Sequence, residues 1–301
     1  MFILNYFLVL LFLLVGVAFF TLLERKVLAY SHFRFGPNKV GYFGLLQPFS
    51  DVVKLFSKEM VKPYKLNYTM YYISPLLGLV LCLMMFCVVP FWGFFSFVVF
   101  SLILFFTLSS FMVYFLLGSG WSSFSKYSLF GSYRSAAQGI SYEVCMFLLL
   151  FSFCWLCHSY FFGEVIFLQY GIWFLFNSFP MFFCWLLICL AESNRSPFDF
   201  SEGESELVSG FNTEYGGSLF SIIFITEYAS ILFLSLFSSM FFMGGGHFYF
   251  LSAFLISYFY LWVRSSFPRL RYDKLMMMCW KSILPLTIGF LLFLFYFSLF
   301  L

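Results

Sequence analysis

Every one of the sixteen Lys and Arg residues in this chain falls in one of four segments, 24–69, 118–138, 192–217 and 264–282. Around them run eight nearly unbroken apolar stretches: Phe2–Leu23, Met70–Val89, Phe94–Leu117, Gly139–Phe162, Ile172–Ala191, Ser218–Met243, Phe248–Val263 and Ile283–Leu301. Most are near the ~20 residues a bilayer demands, and continuous rather than alternating apolarity predicts helices, not barrel strands. A chain of 301 residues that is 63% hydrophobic and only 10% charged is too apolar for a soluble domain. The expected fold class is an all-α polytopic membrane protein of about eight transmembrane helices, a single transmembrane domain over 1–301. The opposite side carries only 90–93, 163–171, 244–247 and the two termini, with Glu164 as its lone formal charge. Both termini are therefore expected outside, and the basic loops in the cytoplasm or mitochondrial matrix. The first span lacks a basic n-region and a small-residue cleavage site, and reads as a retained helix rather than a signal peptide.

Six of the thirteen acids crowd into residues 191–215: Glu192, Asp199, Glu202, Glu204, Glu206 and Glu214, with Arg195 as the one cation among them. Negative charge packed beside a membrane is disfavoured by repulsion and desolvation, so a functional demand is expected. Glu202, Glu204 and Glu206, spaced by two, share one side of an extended loop and should titrate as a coupled set. Their competing readings are a solvated acidic loop, a divalent-cation site and an acidic docking patch; the residue order of an EF-hand is absent. Glu143, Glu192 and Glu227 lie within or at the end of three different spans. No Lys or Arg lies inside a span to neutralise them. Carboxyls buried without cations are driven towards the neutral form, which suits a proton relay; the alternative is neutral acids that hydrogen-bond across helices.

Residues 45–60 carry helical periodicity. Phe49, Val52, Val53, Phe56 and Met60 gather on one face, and Asp51, Lys54 and Lys58 on the other, as in an amphipathic helix at a membrane surface or against a partner. Phe35–Asn38 reads as a turn. Glu24, Arg25, Arg34, Asp51 and Arg134 share the basic side with the acidic segment. If the helix ends cluster, acids and arginines ring a chamber with an apolar floor, suited to an amphiphile with a polar head and a long tail. The basic segment 264–274 reads as a topology anchor or a docking surface. The eight cysteines lie mostly in spans and act as small apolar residues. Cys154–His158 has c-type haem spacing but sits inside a span, where helix packing is the better reading. No metal site and no catalytic residue is expected in this chain.

Leu22–Lys26, Gly36–Asn38, Gly44–Asp51, Lys58–Glu59, Ser141–Glu143, the whole of 191–215 and Pro268–Asp273 resemble, in order and spacing, the family of chain 1 subunits of NADH:ubiquinone oxidoreductase, the heel of the complex I membrane arm. The resemblance covers essentially the full length. It implies a core membrane subunit that forms part of a quinone chamber and couples quinone reduction to proton translocation. The matching chamber residues are Glu24, Arg25, Arg34, Asp51, Arg195, Asp199, Glu202, Glu204 and Glu206; the matching proton route is Glu143, Glu192, Glu214 and Glu227. Quinone is then the substrate, with flavin and iron–sulfur clusters in partner subunits. The implied partners are hydrophilic quinone-site subunits, small and antiporter-like membrane subunits and lipid, with no nucleic acid. The implied location is the mitochondrial inner membrane, or a bacterial plasma membrane.

Rival readings are a stand-alone proton or ion transporter and a structural membrane scaffold. The first lacks an internal repeat with paired broken helices; the second leaves the membrane acids unexplained. A self-sufficient redox enzyme is excluded by the missing nucleotide loop and cluster-binding cysteine array.

Overall fold

The computed structural model describes residues 2–60, 63, 65–90, 99–199, 203, 208–244 and 249–300, and among these it is helical with no strand. The elements are α1 (Phe2–Ser31), α2 (Gln47–Ser57), α3 (Tyr68–Met85), α4 (Ser101–Ser122), α5 (Lys126–Cys157), α6 (Phe162–Leu168), α7 (Phe174–Asn177), α8 (Phe179–Glu192), α9 (Gly217–Met243), α10 (Tyr249–Ser266), α11 (Tyr272–Met277) and α12 (Leu284–Phe300). A π-helical turn, Met278–Ile283, fuses α11 to α12. Among the described residues, six helices are long and apolar enough to cross a membrane, and they contain or overlap six of the eight predicted spans. The other two predicted spans fall on α8, which is shorter, and on α10, which is 18 residues long but less apolar.

Several boundaries differ from expectation for local reasons. The fourth span begins thirteen residues earlier than predicted, at Lys126 rather than Gly139. The added stretch is rich in Ser and Tyr, so hydropathy misses it, but Ser125 caps it by accepting a hydrogen bond from the Ser128 N–H. The fifth span is broken at Ser178–Pro180: the four-residue α7 ends, and Pro180 opens α8, where its missing N–H is harmless. The predicted outer loop 163–171 is largely α6, which buries Phe162 and Val165 and is tied to α9 by the Gln169 amide donating to the Phe241 carbonyl at 2.8 Å.

α5, α8 and α9 form the interior. Trp185, Phe153, Phe162, Phe237, Phe241 and Phe242 are fully buried together, with centroid separations such as 4.9 Å (Phe162–Phe237) and 5.4 Å (Phe153–Phe242). Lipid tails are as apolar as these rings, so burial from water does not hold the helices together; close packing does, with aromatic pairs adding ~0.5–1.5 kcal/mol each. Small residues allow the tightest approaches. Gly131 of α5 lies against the backbone of Gly210 and Phe211, where a Cβ would meet backbone atoms at 2.8–2.9 Å. The predicted surface helix exists as α2 and packs across α1 and α9.

Candidate functional site

Three helices enclose a largely apolar pocket of about 580 Å³. α1 contributes Val17, Ala18 and Thr21 at helical spacing; α9 contributes Phe220, Phe224 and Tyr228, one turn apart; α2 closes the third side. The apolar face that periodicity predicts for α2 is turned inward only in part. Phe49 and Val52 line the pocket as expected and Leu55 joins them, whereas Val53 and Phe56 point outward and are exposed. Helix spacing sets which residues share a face; docking against α1 and α9 sets which face turns inward. At the mouth, Arg25 pairs with Asp51 at 2.5 Å, and Gln47 donates to the second Asp51 oxygen at 3.2 Å. Lys54 and Lys58 extend this charged rim. The pocket therefore has an apolar body and a charged mouth, and its volume lies in the range of small-molecule sites.

The start of the acidic segment is pinned from two sides. Fully buried Gln138 of α5 donates from its amide to the carbonyls of Ala191 (2.8 Å) and Phe198 (3.1 Å). The Leu270 N–H donates to the Pro197 carbonyl at 3.1 Å, so the basic segment after α10 packs over residues 195–199. Arg269 reaches buried Asp199 at 3.6 Å. These anchors place Arg195 against α9, where its guanidinium sits 4.5 Å from the centre of the Tyr228 ring and 3.2 Å from the Glu227 carboxylate. This overturns one expectation: Glu227, predicted to lack a cation, has one, supplied from a loop rather than from another span. A second ion pair missed by the sequence joins buried Glu24 of α1 to Arg264 of α10. The two pairs flank a cavity of about 10 Å³ lined also by Ser193 and Tyr260, the size of a single water.

On the other side of α9 lies a second cavity, about 70 Å³, room for several waters, between α3, α4, α5, α9 and the end of α8. Glu192, Glu227, Asn194, Thr226, Ser109 and Ser230 supply its polar wall. Ser109, on that wall, donates to Glu143 at 3.3 Å. Oε2 of Glu192 is shielded from solvent and has no hydrogen-bond partner among the described residues. Two of the three membrane glutamates, Glu192 and Glu227, thus line one cavity, and Glu143 is tied to its wall through Ser109.

Glu214 lies further along, partly buried, its backbone carbonyl accepting from the Tyr71 hydroxyl at 2.8 Å. Tyr71 stacks on Tyr215 at 4.4 Å, and burial raises the Tyr215 phenol above its ordinary pKa, keeping it a neutral hydroxyl among Ser74 and Ser122. Arg34 is exposed in the loop after α1, away from these pairs, and Arg134 is half-buried on α5. Glu202, Glu204 and Glu206 lie outside the described residues. Tyr228, Arg264, Arg269 and Gln138 were not anticipated as site residues; the signals that could have found the two arginines are the basic segment 264–274 for both and the Pro268–Asp273 motif for Arg269.

The family model described as NADH dehydrogenase matches residues 4–295. The chain is 50% identical over 284 residues to the NADH-ubiquinone oxidoreductase chain 1 of Anopheles gambiae, covering 93% of this chain and 90% of that one. The same-named protein of Locusta migratoria is 46% identical over 306 residues (97% and 94%), and that of Artemia franciscana 49% over 281 residues (93% of each).

Proposed function

We propose, from the premise that this chain belongs to the NADH dehydrogenase family, that its two neighbouring cavities couple quinone chemistry to proton movement. The chain is a core membrane subunit of an NADH:ubiquinone oxidoreductase, and no metal-ligating cluster of side chains is present among its described residues. The 580 Å³ pocket takes the isoprenoid tail of the quinone, which apolar walls favour, and the Arg25–Asp51 rim faces the headgroup's path. Flavin and iron–sulfur clusters belong to hydrophilic partner subunits that dock on the basic side; small and antiporter-like membrane subunits adjoin the helices. The complex sits in the mitochondrial inner membrane.

One observation carries the coupling. Glu227 and Tyr228 are consecutive on α9, yet Tyr228 lines the tail pocket and Glu227 the glutamate cavity, and Arg195 contacts both. A change in charge or occupancy on the quinone side shifts Arg195, and through it the field at Glu227, Glu192 and Glu143. Glu202, Glu204 and Glu206, with Glu24, Arg34, Arg134 and Asp199, complete the charged lining of the chamber, and Glu214 continues the proton route. Four ion pairs and the small central cavity favour this reading over a scaffold, which needs neither.

The test is Ala18→Trp, which fills the pocket without touching a charge. The KM for a long-tailed quinone should rise about tenfold, the ~1–3 kcal/mol of overpacking acting on tail binding, while NADH oxidation by a hydrophilic artificial acceptor is unchanged. An equal effect on a tail-less quinone would remove the pocket from the substrate's path.

A further inference from the structure

A separate groove lies between α8 and α12, and none of its lining residues lines either cavity of the proposed coupling site. It has a volume of about 610 Å³ and is walled by Met181, Pro285, Leu286, Phe290 and Phe293, with Lys281 and Ser282 at one end. Its floor opens at Gly289, where nothing lies within 4 Å of the position a Cβ would take.

The position of Lys281 is unusual. It lies nine residues into the α11–π–α12 helix, inside a stretch apolar enough to cross the membrane. It is exposed and forms no ion pair among the described residues. An unpaired ammonium on a membrane helix is disfavoured unless it reaches the interface or meets an anion. The π turn that carries it departs from regular helix geometry, as such turns do at functional positions.

Depth along the membrane can be read from contacts. The Cys279 thiol donates to the Ser141 carbonyl at 3.3 Å, and Gln138, one turn earlier on α5, bonds the Ala191 carbonyl at the end of α8. Lys281 is therefore within about a turn of the end of α8 on the Lys- and Arg-rich side. From Lys281 to Phe293 the helix advances twelve residues, about 18 Å. Half of a ~30 Å hydrocarbon core is ~15 Å, slightly less than this length. The groove thus spans one leaflet, with its single cation at the headgroup end.

We infer that this groove holds one acyl chain of an anionic diacyl phospholipid from the leaflet on the basic side, its phosphate paired with Lys281. The charge of the lysine selects an anionic headgroup, the depth of the lysine sets the leaflet, and the length of the groove fits a chain that runs to the bilayer centre. Trp280, exposed beside the lysine, lies at the level where indoles favour the interface.

The experiment uses the assembled complex in phosphatidylcholine vesicles that contain phosphatidylglycerol with a photoreactive group near the end of one chain. After illumination, the label should map to Gly289–Phe293 or to Met181, and excess plain phosphatidylglycerol should suppress it where phosphatidylcholine does not. In parallel, Lys281→Gln should lower retention of this lipid through detergent washing about fivefold, the effect of one lysine at an anionic surface, and Gly289→Phe should abolish it; Lys281→Arg should retain it. If either variant fails to assemble, the labelling of the unaltered complex decides. Label absent from these segments, label suppressed equally by phosphatidylcholine, or cross-linking of the groove to another protein subunit would each overturn the assignment.

Discussion

Arg195→Gln is the perturbation that most directly probes the junction between the two cavities. The side chains of Arg195 and Glu227 are only 12% and 16% exposed and lie 3.2 Å apart. At an effective dielectric of ~20, unit charges at that distance attract by about 5 kcal/mol, and the ring of Tyr228 adds ~0.5–2 kcal/mol more. Desolvation offsets much of this for the intact pair. Removing only the arginine gives up the attraction and leaves the carboxylate buried, a loss of about 3–5 kcal/mol. Removing both charges leaves neither stranded. A double-mutant cycle on heat inactivation of quinone-reductase activity in the purified complex therefore has a definite order. Wild type should be most resistant, Arg195→Gln/Glu227→Gln close behind, and Arg195→Gln far the weakest. Arg195→Lys keeps the charge but loses the planar group over Tyr228, and should fall between. If the double variant is as fragile as Arg195→Gln alone, the two side chains are not coupled and the proposed link between the cavities is wrong.

Two further outcomes are expected. Gly131→Ala sets a Cβ against the backbone of Gly210 and Phe211, which cannot rotate away, so it should destabilise the subunit by ~1–3 kcal/mol, read as reduced assembled complex on native gels; normal assembly would refute the backbone contact. Glu24→Gln leaves Arg264, 28% exposed, without its carboxylate, at a loss of about 2–3 kcal/mol because solvent relieves part of the buried-pair penalty. Glu24→Lys should be worse in the same assay, since it sets a like charge against that guanidinium; equal behaviour of the two would argue against the pair.

What the sequence reveals here is what one helix at a time can encode. Uninterrupted apolarity finds the spans, and the three-to-four-residue spacing of Phe49, Val52 and Phe56 finds α2. The rotation of α2 is set by two other helices, so the spacing does not foretell that Leu55 joins Phe49 and Val52 at the pocket while Val53 and Phe56 stay exposed. The Ser-rich first turns of α5 are invisible to hydropathy because their hydroxyls are satisfied within the helix, as where Ser132 donates to the Leu129 carbonyl. The family motifs lead to Glu24, Arg195, Asp199 and Glu227 as charged positions, but not to their pairing. Glu24 finds Arg264 across 240 residues, and Arg195 finds Glu227 across 32, through a loop fixed by Gln138.

That pairing changes which acids suit proton transfer. Glu24, Asp51, Asp199 and Glu227 each face an arginine, Arg264, Arg25, Arg269 and Arg195 respectively, so these four pairs are formally neutral. Protonating a buried member of such a pair strands its arginine and forfeits an attraction of about 5 kcal/mol at contact distance. Glu143 and Glu192 carry no such penalty. They have no ion pair among the described residues; Glu192 lines the cavity where water fits, and Glu143 bonds to Ser109 on its wall. A proton added to either breaks no such pair. On the coupling reading, Glu227 and Arg195 serve as the fixed dipole that transmits the field from the quinone side, while Glu143 and Glu192 are the groups whose charge changes. On this reading the α9 turn that sets Tyr228 in one pocket and Glu227 in the other joins the two roles: the Arg195–Glu227 pair faces the tail pocket through Tyr228, and it faces Glu192 across the glutamate cavity.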